Sequence, residues 1–537
     1  MSTPESLNIQ KPQLYVNHII FNDNTEITLD HNSIVVFTGA NNNGKSQVLK
    51  DIELAIKNPQ AKLVVVNTLE RVCTGDLDDD FLFTYLRDDG DGNYYFGNNG
   101  ATLNDWKNYW KRGNLNKVSN FLMGRLDTKE RLTVSESKQL YGISAYEQRN
   151  SLHAVYDDNK KEKLISDLFF DAFKENLVVN RRAGQYVSLH IGNPPNRSSL
   201  TMNDEGDFYA MVANLPKLDT QGDGMRSFAS VLLDNFTTEK TLTLIDEPEA
   251  FLHPPQARLM GKMLAKHNLN ERQLFISTHS EDFIQGLLDA DNKNVKIIRI
   301  NRKNFINHMS ILNSEDIRNL WSNPILRYSN ILSGLFHEKV IVCESDYDCL
   351  FYQAVLDAIY ENVSEIAPDI LFTHCGGKDR IKDVVKALKA LNVPVVAVCD
   401  FDLLNDSKKF RAIVSAFDEN WDTSIGPSMK IVYDGMNAKT DAWRNIKKIG
   451  KAGFTGNEPA AYEAVEMACK AMGLYIVPVG EMECFDKTIN RDKKDWVYYV
   501  LENYNLATEP QLSTARTFIK SFVDFSPTII ASDTGEK

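Results

Sequence analysis

The chain has 537 residues and a mass of 60.9 kDa, too much for one hydrophobic core, so about two to four domains are expected. With 43% hydrophobic and 25% charged residues and no apolar run near the roughly 20 residues that span a bilayer, we expect a soluble protein without membrane association. The net charge of −13 argues against a general nucleic-acid binder, although a local basic groove or metal ions over carboxylates can still hold a phosphate backbone. The polar N-terminus and seven scattered cysteines without a CxxC pair indicate a cytoplasmic location and no zinc framework.

The first third of the chain contains three successive segments with different sequence patterns. Short alternating strands are predicted within 13–38, followed by a Gly/Asn loop and a helix from about 45 to 57, and the apolar run at 61–69 predicts another strand. Residues 74–100 are acidic and rich in Gly and Asn. This composition favours exposed turns around a hairpin, since the spacing of the oxygen side chains fits no calcium loop. Residues 101–178 have mainly helical patterns.

Strand and helix then alternate. Strands are predicted at 185–191, 207–213, 241–246 and 273–278, and helices at 255–267 and 281–289, with a Gly-rich turn at 221–224. A second alternating unit begins near 338 with the strands KVIVC, ILFTH, VPVVAVC and LYIVPV. The pattern indicates two α/β domains with largely parallel sheets. The predicted parts are a first domain formed by 1–70 and 176–320, a helical insertion or dimerisation arm at 71–175, and a second domain at 335–537.

The segment GANNNGKS fits the phosphate-loop pattern G-x-x-x-x-G-K-[ST] and lies between a predicted strand and a predicted helix, as that motif requires. Backbone N–H groups of such a loop and of the following helix face phosphates. We expect Lys45 to neutralise the β- and γ-phosphates of ATP and Ser46 to bind Mg²⁺. The predicted nucleotide-binding residues are Gly39, Asn41, Asn42, Asn43, Gly44, Lys45, Ser46 and Gln47.

Carboxylates follow the buried strand TLTLID. Asp246 is predicted to emerge near the magnesium ion, and Glu247 to polarise the attacking water. A buried strand ending in two carboxylates is costly to build without a cation. His279 ends the next strand, where it is placed to contact the γ-phosphate, although a lone histidine is more often structural.

The second domain carries acidic residues at strand ends. One acid follows KVIVC, with a second four residues later on the same predicted helix face, a D-x-D pair follows VPVVAVC, and two more acids follow LYIVPVG. Parallel strands deliver these side chains to one sheet edge, where they repel one another unless a divalent metal neutralises them. Oxygen ligands suit Mg²⁺ or Mn²⁺. The candidate metal ligands are Glu344, Asp348, Asp400, Asp402, Glu481 and Glu483.

The motifs GANNNGKS, DEPEAFLHP and STHS, in that order, resemble the ABC-type ATPases of the RecF, SMC and OLD group. The segment QGDGMRSF at 221–228 resembles their signature loop but lacks the usual Leu-Ser-Gly-Gly opening, and no Q-loop can be placed. The resemblance implies an ABC-type ATPase head that forms an ATP sandwich dimer, in which Gly222, Gly224 and Arg226 act in trans on the ATP of the other protomer.

A Glu after the first strand and a later D-x-D make the second domain resemble a TOPRIM domain, and GGKDR at 376–380 resembles the turn and helix between them in OLD (overcoming lysogenization defect) nucleases. Ser345 stands where the family often has Gly. An ABC head followed by a TOPRIM domain defines that family. The resemblance implies two metals that clamp a scissile phosphate, with Glu344, Asp400 and Asp402 in catalytic positions. It also implies an assisting downstream lysine, Lys493 or Lys494.

The leading hypothesis is an ATP-regulated, divalent-metal-dependent DNA endonuclease. Its similarity to Gabija-type and retron-associated nucleases implies anti-phage defence, a homodimer or larger assembly through the heads, and a possible partner within a defence system. One alternative is a recombination-type DNA-binding ATPase with a silent TOPRIM domain. A primase-like activity lacks a supporting Cys cluster, and a topoisomerase-like activity lacks a nucleophilic Tyr motif. Cleavage of RNA, for example tRNA, also stays open.

Overall fold

A computed structural model describes residues 11–96, 99–140, 150–193, 205–268, 272–303, 306–312, 317–318, 331–361, 363–418, 420–438 and 442–526. The chain divides into two compact units, Met1–Ser314 and Glu315–Lys537. Both units combine helices with sheets, which confirms the predicted α/β class. None of the helices in the described ranges combines the length and apolarity that crossing a membrane requires.

The strands of the first unit are β1 (Gln13–Phe21), β2 (Glu26–Thr28), β3 (Ile34–Thr38), β4 (Val66–Thr74), β5 (Arg87–Asp88), β6 (Tyr94–Phe96), β7 (Asn99–Ala101), β8 (Met123–Leu126), β9 (Lys138–Gln139), β10 (Asn176–Asn180), β11 (Tyr186–Gly192), β12 (Leu242–Asp246), β13 (Gln273–Ser277), β14 (Val295–Lys303) and β15 (Ile306–Ile311). Its helices are Lys45–Lys57, Asp79–Tyr85, Leu103–Lys111, Leu115–Leu122, Thr128–Val134, Ser151–Asp157, Asn159–Phe173, Glu205–Ala213, Asp223–Thr237, Pro254–Lys266 and Glu281–Asp289.

A six-stranded sheet in the order β15-β14-β3-β13-β12-β8 organises the first unit. Its strands are parallel except β15, which pairs antiparallel with β14. Strands β3 and β13 are buried along their whole length, as expected when helices cover both faces of a parallel sheet. The carboxyl ends of β3, β12, β13 and β8 therefore meet at one edge of the sheet.

Three local predictions for this unit need correction. Residues 207–213 lie in the helix Glu205–Ala213, not in a strand, because a short apolar run has no period that separates a buried strand from a helix. The strand predicted at 61–69 is displaced to β4. Within the predicted helical insertion 71–175, Met123–Leu126 form β8, an edge strand of the six-stranded sheet, not a helix. The expected hairpin is present as β5, β6 and β7.

The second unit contains a four-stranded parallel sheet in the order β17-β16-β18-β19. The strands are β16 (Lys339–Cys343), β17 (Ile370–His374), β18 (Val395–Cys399) and β19 (Leu474–Ile476). The helices are Asp346–Tyr360, Ile381–Ala390, Ser407–Phe417, Trp421–Ser424, Gly426–Ala438, Ala442–Ile449, Glu458–Met472, Lys493–Asn503 and Ser513–Val523. One sheet face packs against the first and the last two of these helices in a common apolar core.

Candidate functional site

The loop from Gly39 to Gly44 joins β3 to the helix Lys45–Lys57. Gly39 has a φ of 140°, and a Cβ there would overlap the carbonyl oxygen of Ile300, so only glycine fits. The Asn43 side-chain amide donates to the same carbonyl at 3.1 Å, and the Asn43 carbonyl accepts from the Asn307 amide at 2.5 Å. Strands β14 and β15 therefore fix the shape of the loop.

The other predicted loop residues differ in their surroundings. Lys45 Nζ donates to the carbonyls of Gly39 (2.9 Å) and Ala40 (3.0 Å), and burial lowers the pKa of this lysine. Asn41 and Asn42 are exposed. The Gln47 amide donates to Asp51 Oδ1 at 2.8 Å, one helical turn away.

Strand ends bring the predicted magnesium ligands together. Ser46 Oγ donates to Asp246 Oδ1 at 2.8 Å, and Ser277 Oγ donates to the same oxygen. Asp246 ends β12, Ser277 ends β13 and Ser46 lies in the first turn of the helix after β3, so three neighbouring parallel strands position this point. A carboxylate beside a hydroxyl is a donor set that fits Mg²⁺.

Glu247 and His279 are hydrogen-bonded to each other beside that point. Glu247 has a positive φ of 51°, and its Oε1 lies 3.3 Å from His279 Nδ1. The hydrogen bond with His279 lowers the pKa of Glu247, and the same bond raises the pKa of His279.

Glu249 is a residue that the sequence interpretation missed. Its buried Oε1 accepts from Thr278 Oγ1 at 2.8 Å and from the His279 backbone N–H at 3.0 Å, and it lies 3.5 Å from His279 Nδ1. Burial raises the pKa of Glu249. The DEPE motif already contains this residue, but its spacing does not reveal the contact with the following strand.

Arg131 is a second missed residue, and no local signal marks it. It lies in the helix after β8, is fully buried, and donates from Nη1 to the carbonyl oxygen of Asp246. Its Nε and Nη2 have no hydrogen-bond partner among the described residues. Burial lowers the pKa of this guanidinium, and the neighbouring carboxylates of Glu249, Asp246 and Glu247 oppose that effect.

The glycine-rich loop lies at the start of the helix Asp223–Thr237, with Gly222 as its N-cap residue. A Cβ on Gly224 would lie 2.7 Å from the carbonyl oxygen of Phe251, whereas the space around Gly222 is open. Arg226 donates to the Leu132 carbonyl at 2.8 Å and to Glu136 at 3.2 Å. Its guanidinium is thus engaged within its own unit, and its predicted action in trans stays a prediction.

The second unit brings Glu344 and Asp400 together at the carboxyl ends of β16 and β18. Glu344 Oε1 accepts a hydrogen bond from the Asp400 backbone N–H at 3.0 Å. Burial raises the pKa of Glu344, and the charge of Asp402 adds to this effect. Burial also raises the pKa of Asp400, against the opposing effect of Lys493.

Three lysines pair with this carboxylate cluster. Lys493 Nζ lies 2.7 Å from Asp348 Oδ1 and 3.5 Å from Asp400 Oδ2, whereas Lys494 is exposed, so the structure separates the two candidate lysines. The other two were not predicted. Lys378 Nζ lies 2.9 Å from Asp402 Oδ2, and Lys447 Nζ lies 2.6 Å from Glu481 Oε1. Lys378 belongs to the quoted GGKDR segment, and the basic helix around Lys447 gave no specific signal.

Asp348 does not share a helix face with Glu344, as the spacing had suggested. The helix begins at Asp346, so Glu344 precedes it, and Ser345 is its N-cap residue. Asp348 Oδ2 accepts from the Ser345 N–H at 3.0 Å and from Ser345 Oγ at 2.9 Å, which leaves Oδ1 directed at Lys493. The serine that replaces the usual glycine therefore orients a cluster carboxylate.

The donor set fits a divalent cation, although the cluster is not closed around one. Asp402 Oδ1 and Glu483 Oε2 are buried without a hydrogen-bond partner in the described part of the chain, and burial raises the pKa of Glu483. Buried carboxylate oxygens of this kind are stabilised by cations. Across the described ranges, however, no three Asp, Glu, His or Cys side chains already surround one point as metal ligands would.

Two protein-family models match the chain. The model described as AAA ATPase domain matches residues 148–284, and the model described as overcoming lysogenization defect protein-like, TOPRIM domain, matches residues 335–402. The second match contains Glu344, Asp348, Asp400 and Asp402.

Two curated proteins are similar to parts of the chain. The Old nuclease of Escherichia phage P2 is 24% identical over 273 residues, 48% of this chain and 45% of that protein. The OLD nuclease of Thermus scotoductus is 30% identical over 175 residues, 30% of each chain. The chain thus spans less than half the length of these relatives.

Among solved structures, an Smc head bound to the C-winged helix domain of ScpA aligns with a TM-score of 0.34 at 13% identity, covering 56% of this chain and 99% of that one. The SMC head domain from Thermotoga maritima gives 0.30 at 12%, covering 57% and 100%. Scores this low support no conclusion about the chain. The two domain matches, in this order, and the two curated relatives show that the chain is similar to ATPase–TOPRIM proteins of the overcoming lysogenization defect family.

Proposed function

We propose that the chain is an ATP-regulated, divalent-metal-dependent DNA endonuclease that acts in anti-phage defence in the cytoplasm. The observation that carries the proposal is the partly buried hydrogen bond from the Asp400 backbone N–H to the Glu344 carboxylate at the carboxyl edge of the second sheet, beside further acids with oxygens that lack donors in the described residues. A carboxylate cluster of this kind suits phosphodiester hydrolysis, and the same chain carries a phosphate loop. The relatives named Old nuclease support this activity.

The residues of the second unit would hold Mg²⁺ or Mn²⁺ through Glu344, Asp348, Asp400, Asp402, Glu481 and Glu483. Bound divalent cations would supply an activated water and stabilise the leaving oxygen. The chain's own contribution is to bury the acids and to hold them at one edge. Lys493 places a cation beside Asp400, where it would face the negative charge of the scissile phosphate.

In the first unit, Lys45 would bind the phosphates of ATP, and Ser46 with Asp246 would hold Mg²⁺. Glu247 directly follows Asp246 and is held by its hydrogen bond with His279, so its carboxylate would orient the attacking water. His279 would contact the γ-phosphate. We assign the head to 1–70 and 176–320 together with β8, and the nuclease domain to 335–537. In a dimer of heads, Gly222, Gly224 and Arg226 of one protomer would contact the ATP bound by the other. A further protein or nucleic acid of a defence system would bind the chain as a partner.

The test uses the purified full chain with plasmid DNA, linear DNA and total RNA, each with Mg²⁺ or Mn²⁺ and with or without ATP. Asp400→Asn should abolish DNA cleavage and leave ATP hydrolysis intact, whereas the exposed-acid control Glu463→Gln should keep both activities. Cleavage of DNA by Asp400→Asn would refute the assignment of the cluster. Cleavage of RNA alone would favour the RNA nuclease alternative, and an ATPase that never nicks would favour the silent TOPRIM domain.

A further inference from the structure

Lys447 reaches the carboxylate cluster from the long helical connection between β18 and β19. Its helix, Ala442–Ile449, ends against the loop that follows β19. The Lys451 N–H donates to the Pro478 carbonyl at 3.0 Å, and a Cβ on Gly450 would overlap that same oxygen. On the other side of the contact, a Cβ on Gly480 would overlap the Lys447 carbonyl. The two backbones therefore touch directly.

This contact fixes Lys447 relative to the cluster acids. The Phe401 N–H donates to the Gly480 carbonyl at 2.9 Å, so the loop that leads to Glu481 is tied to the D-x-D segment as well. Lys447 Nζ lies 2.6 Å from Glu481 Oε1 and 3.7 Å from Asp402 Oδ2. Lys447 therefore pairs closely with Glu481 and lies near Asp402, whose Oδ2 is also 2.9 Å from Lys378 Nζ.

The other half of the cluster repeats the arrangement, with Lys493 between Asp348 and Asp400. Magnesium binds carboxylate oxygens at about 2.0–2.1 Å and manganese uses the same kind of ligand, so a metal ion and an ammonium group need the same oxygens. The four-carbon stem of lysine allows its ammonium group to leave without moving the backbone.

We propose that Lys447 is a built-in competitor of the divalent cation: its ammonium group pairs with Glu481, beside Asp402, until a metal ion displaces it. This inference rests on the proposed metal site and adds its regulation. Lys447 stabilises the acid pair in the metal-free protein and raises the metal concentration at which this half of the site fills.

The test measures Mn²⁺ binding to the full chain without nucleotide or nucleic acid, by the loss of the free Mn²⁺ signal in electron paramagnetic resonance. Lys447→Met should tighten binding by about fivefold, the factor for an ion pair of ordinary strength at a partly exposed site. Lys447→Arg retains the charge and should bind like the wild type. Lys448→Met is the matched control on the same helix, because Lys448 is exposed, and it should leave binding unchanged.

The direction of the change separates competition from structural damage, since a disturbed site binds metal more weakly. Binding by Lys447→Met no tighter than by Lys448→Met would overturn the inference, and thermal unfolding of both variants checks that they are folded. Asp402→Asn tests the underlying site. Equal Mn²⁺ binding by Asp402→Asn and wild type would refute the metal site and the inference together, whereas weaker binding by Asp402→Asn would place any failure on Lys447 alone.

Discussion

Glu249 holds the end of β13 in place, and its replacement by alanine or glutamine tests this role. Alanine leaves two donors, the Thr278 hydroxyl and the His279 N–H, without their acceptor. A buried donor without a partner costs about 1–3 kcal/mol. Because the His279 N–H is only partly buried, we expect Glu249→Ala to lower the free energy of unfolding of this sheet by about 2–5 kcal/mol.

Glu249→Gln keeps an oxygen for the same two donors and removes a buried charge. At pH 4.5 the free energy of unfolding should therefore stay within about 1 kcal/mol of the wild type. Native-state hydrogen exchange of the amides of β12 and β13 measures the difference locally, without interference from the second unit. An equal loss of unfolding free energy in Glu249→Ala and Glu249→Gln would refute the reasoning, because Glu249→Gln retains the acceptor oxygen that Glu249→Ala lacks.

The same pair of variants has a pH dependence of known sign. Burial raises the pKa of Glu249 in the folded chain above the ordinary value of 4.5. Its contribution to stability is therefore complete below that value and is lost as the pH rises through the folded pKa. The stability of Glu249→Gln relative to wild type should accordingly increase from pH 4.5 towards pH 8. A difference that stays constant over this range would show that the buried carboxyl does not titrate in it.

Three further predictions concern the loop and the cluster. Gly39→Ala should abolish ATP binding, measured with a fluorescent ATP analogue, because the alanine Cβ would overlap the Ile300 carbonyl and Gly39 has a φ of 140°. Retained binding would show that β14 can shift to make room for the Cβ. Lys493→Met should lower DNA cleavage by about a hundredfold or more, whereas the neighbouring Lys494→Met should cleave normally; equal rates would remove Lys493 from the site. The free energy of unfolding of metal-free Glu344→Gln, relative to wild type, should increase as the pH rises, since burial raises the pKa of Glu344. The same variant should bind Mn²⁺ more weakly in titrations, and unchanged binding would exclude Glu344 as a ligand.

The acids of both units could be predicted from the sequence because local rules place them. An apolar strand followed by a carboxylate predicts that this carboxylate lies at the carboxyl edge of a parallel sheet, and Asp246, Glu344 and Asp400 do lie there. The phosphate loop follows the same logic, and its helix begins and ends as predicted.

Other elements could not be predicted, for physical reasons that differ. Strand β8 is four residues long and lies among helices, so it has no hydrophobic period, and only its pairing with the distant β12 makes it a strand. Arg131 depends on β8 for its position. The helix at Glu205–Ala213 has an apolar run that fits a buried strand equally well.

The two sites share one principle of construction that explains this difference. Most of the acids lie at the ends of sheet strands or in the loops that follow them. Most of the cations that balance them come from elements remote from those strands: Arg131 from the helix after β8, Lys447 from the helical connection, and Lys493 from a late helix. Local sequence therefore predicts where negative charge collects, whereas the tertiary fold decides how much of it is neutralised. The net charge inferred from the acidic residues of the sequence alone is therefore more negative than the charge near a bound metal ion or phosphate, because lysine side chains already pair with the carboxylates.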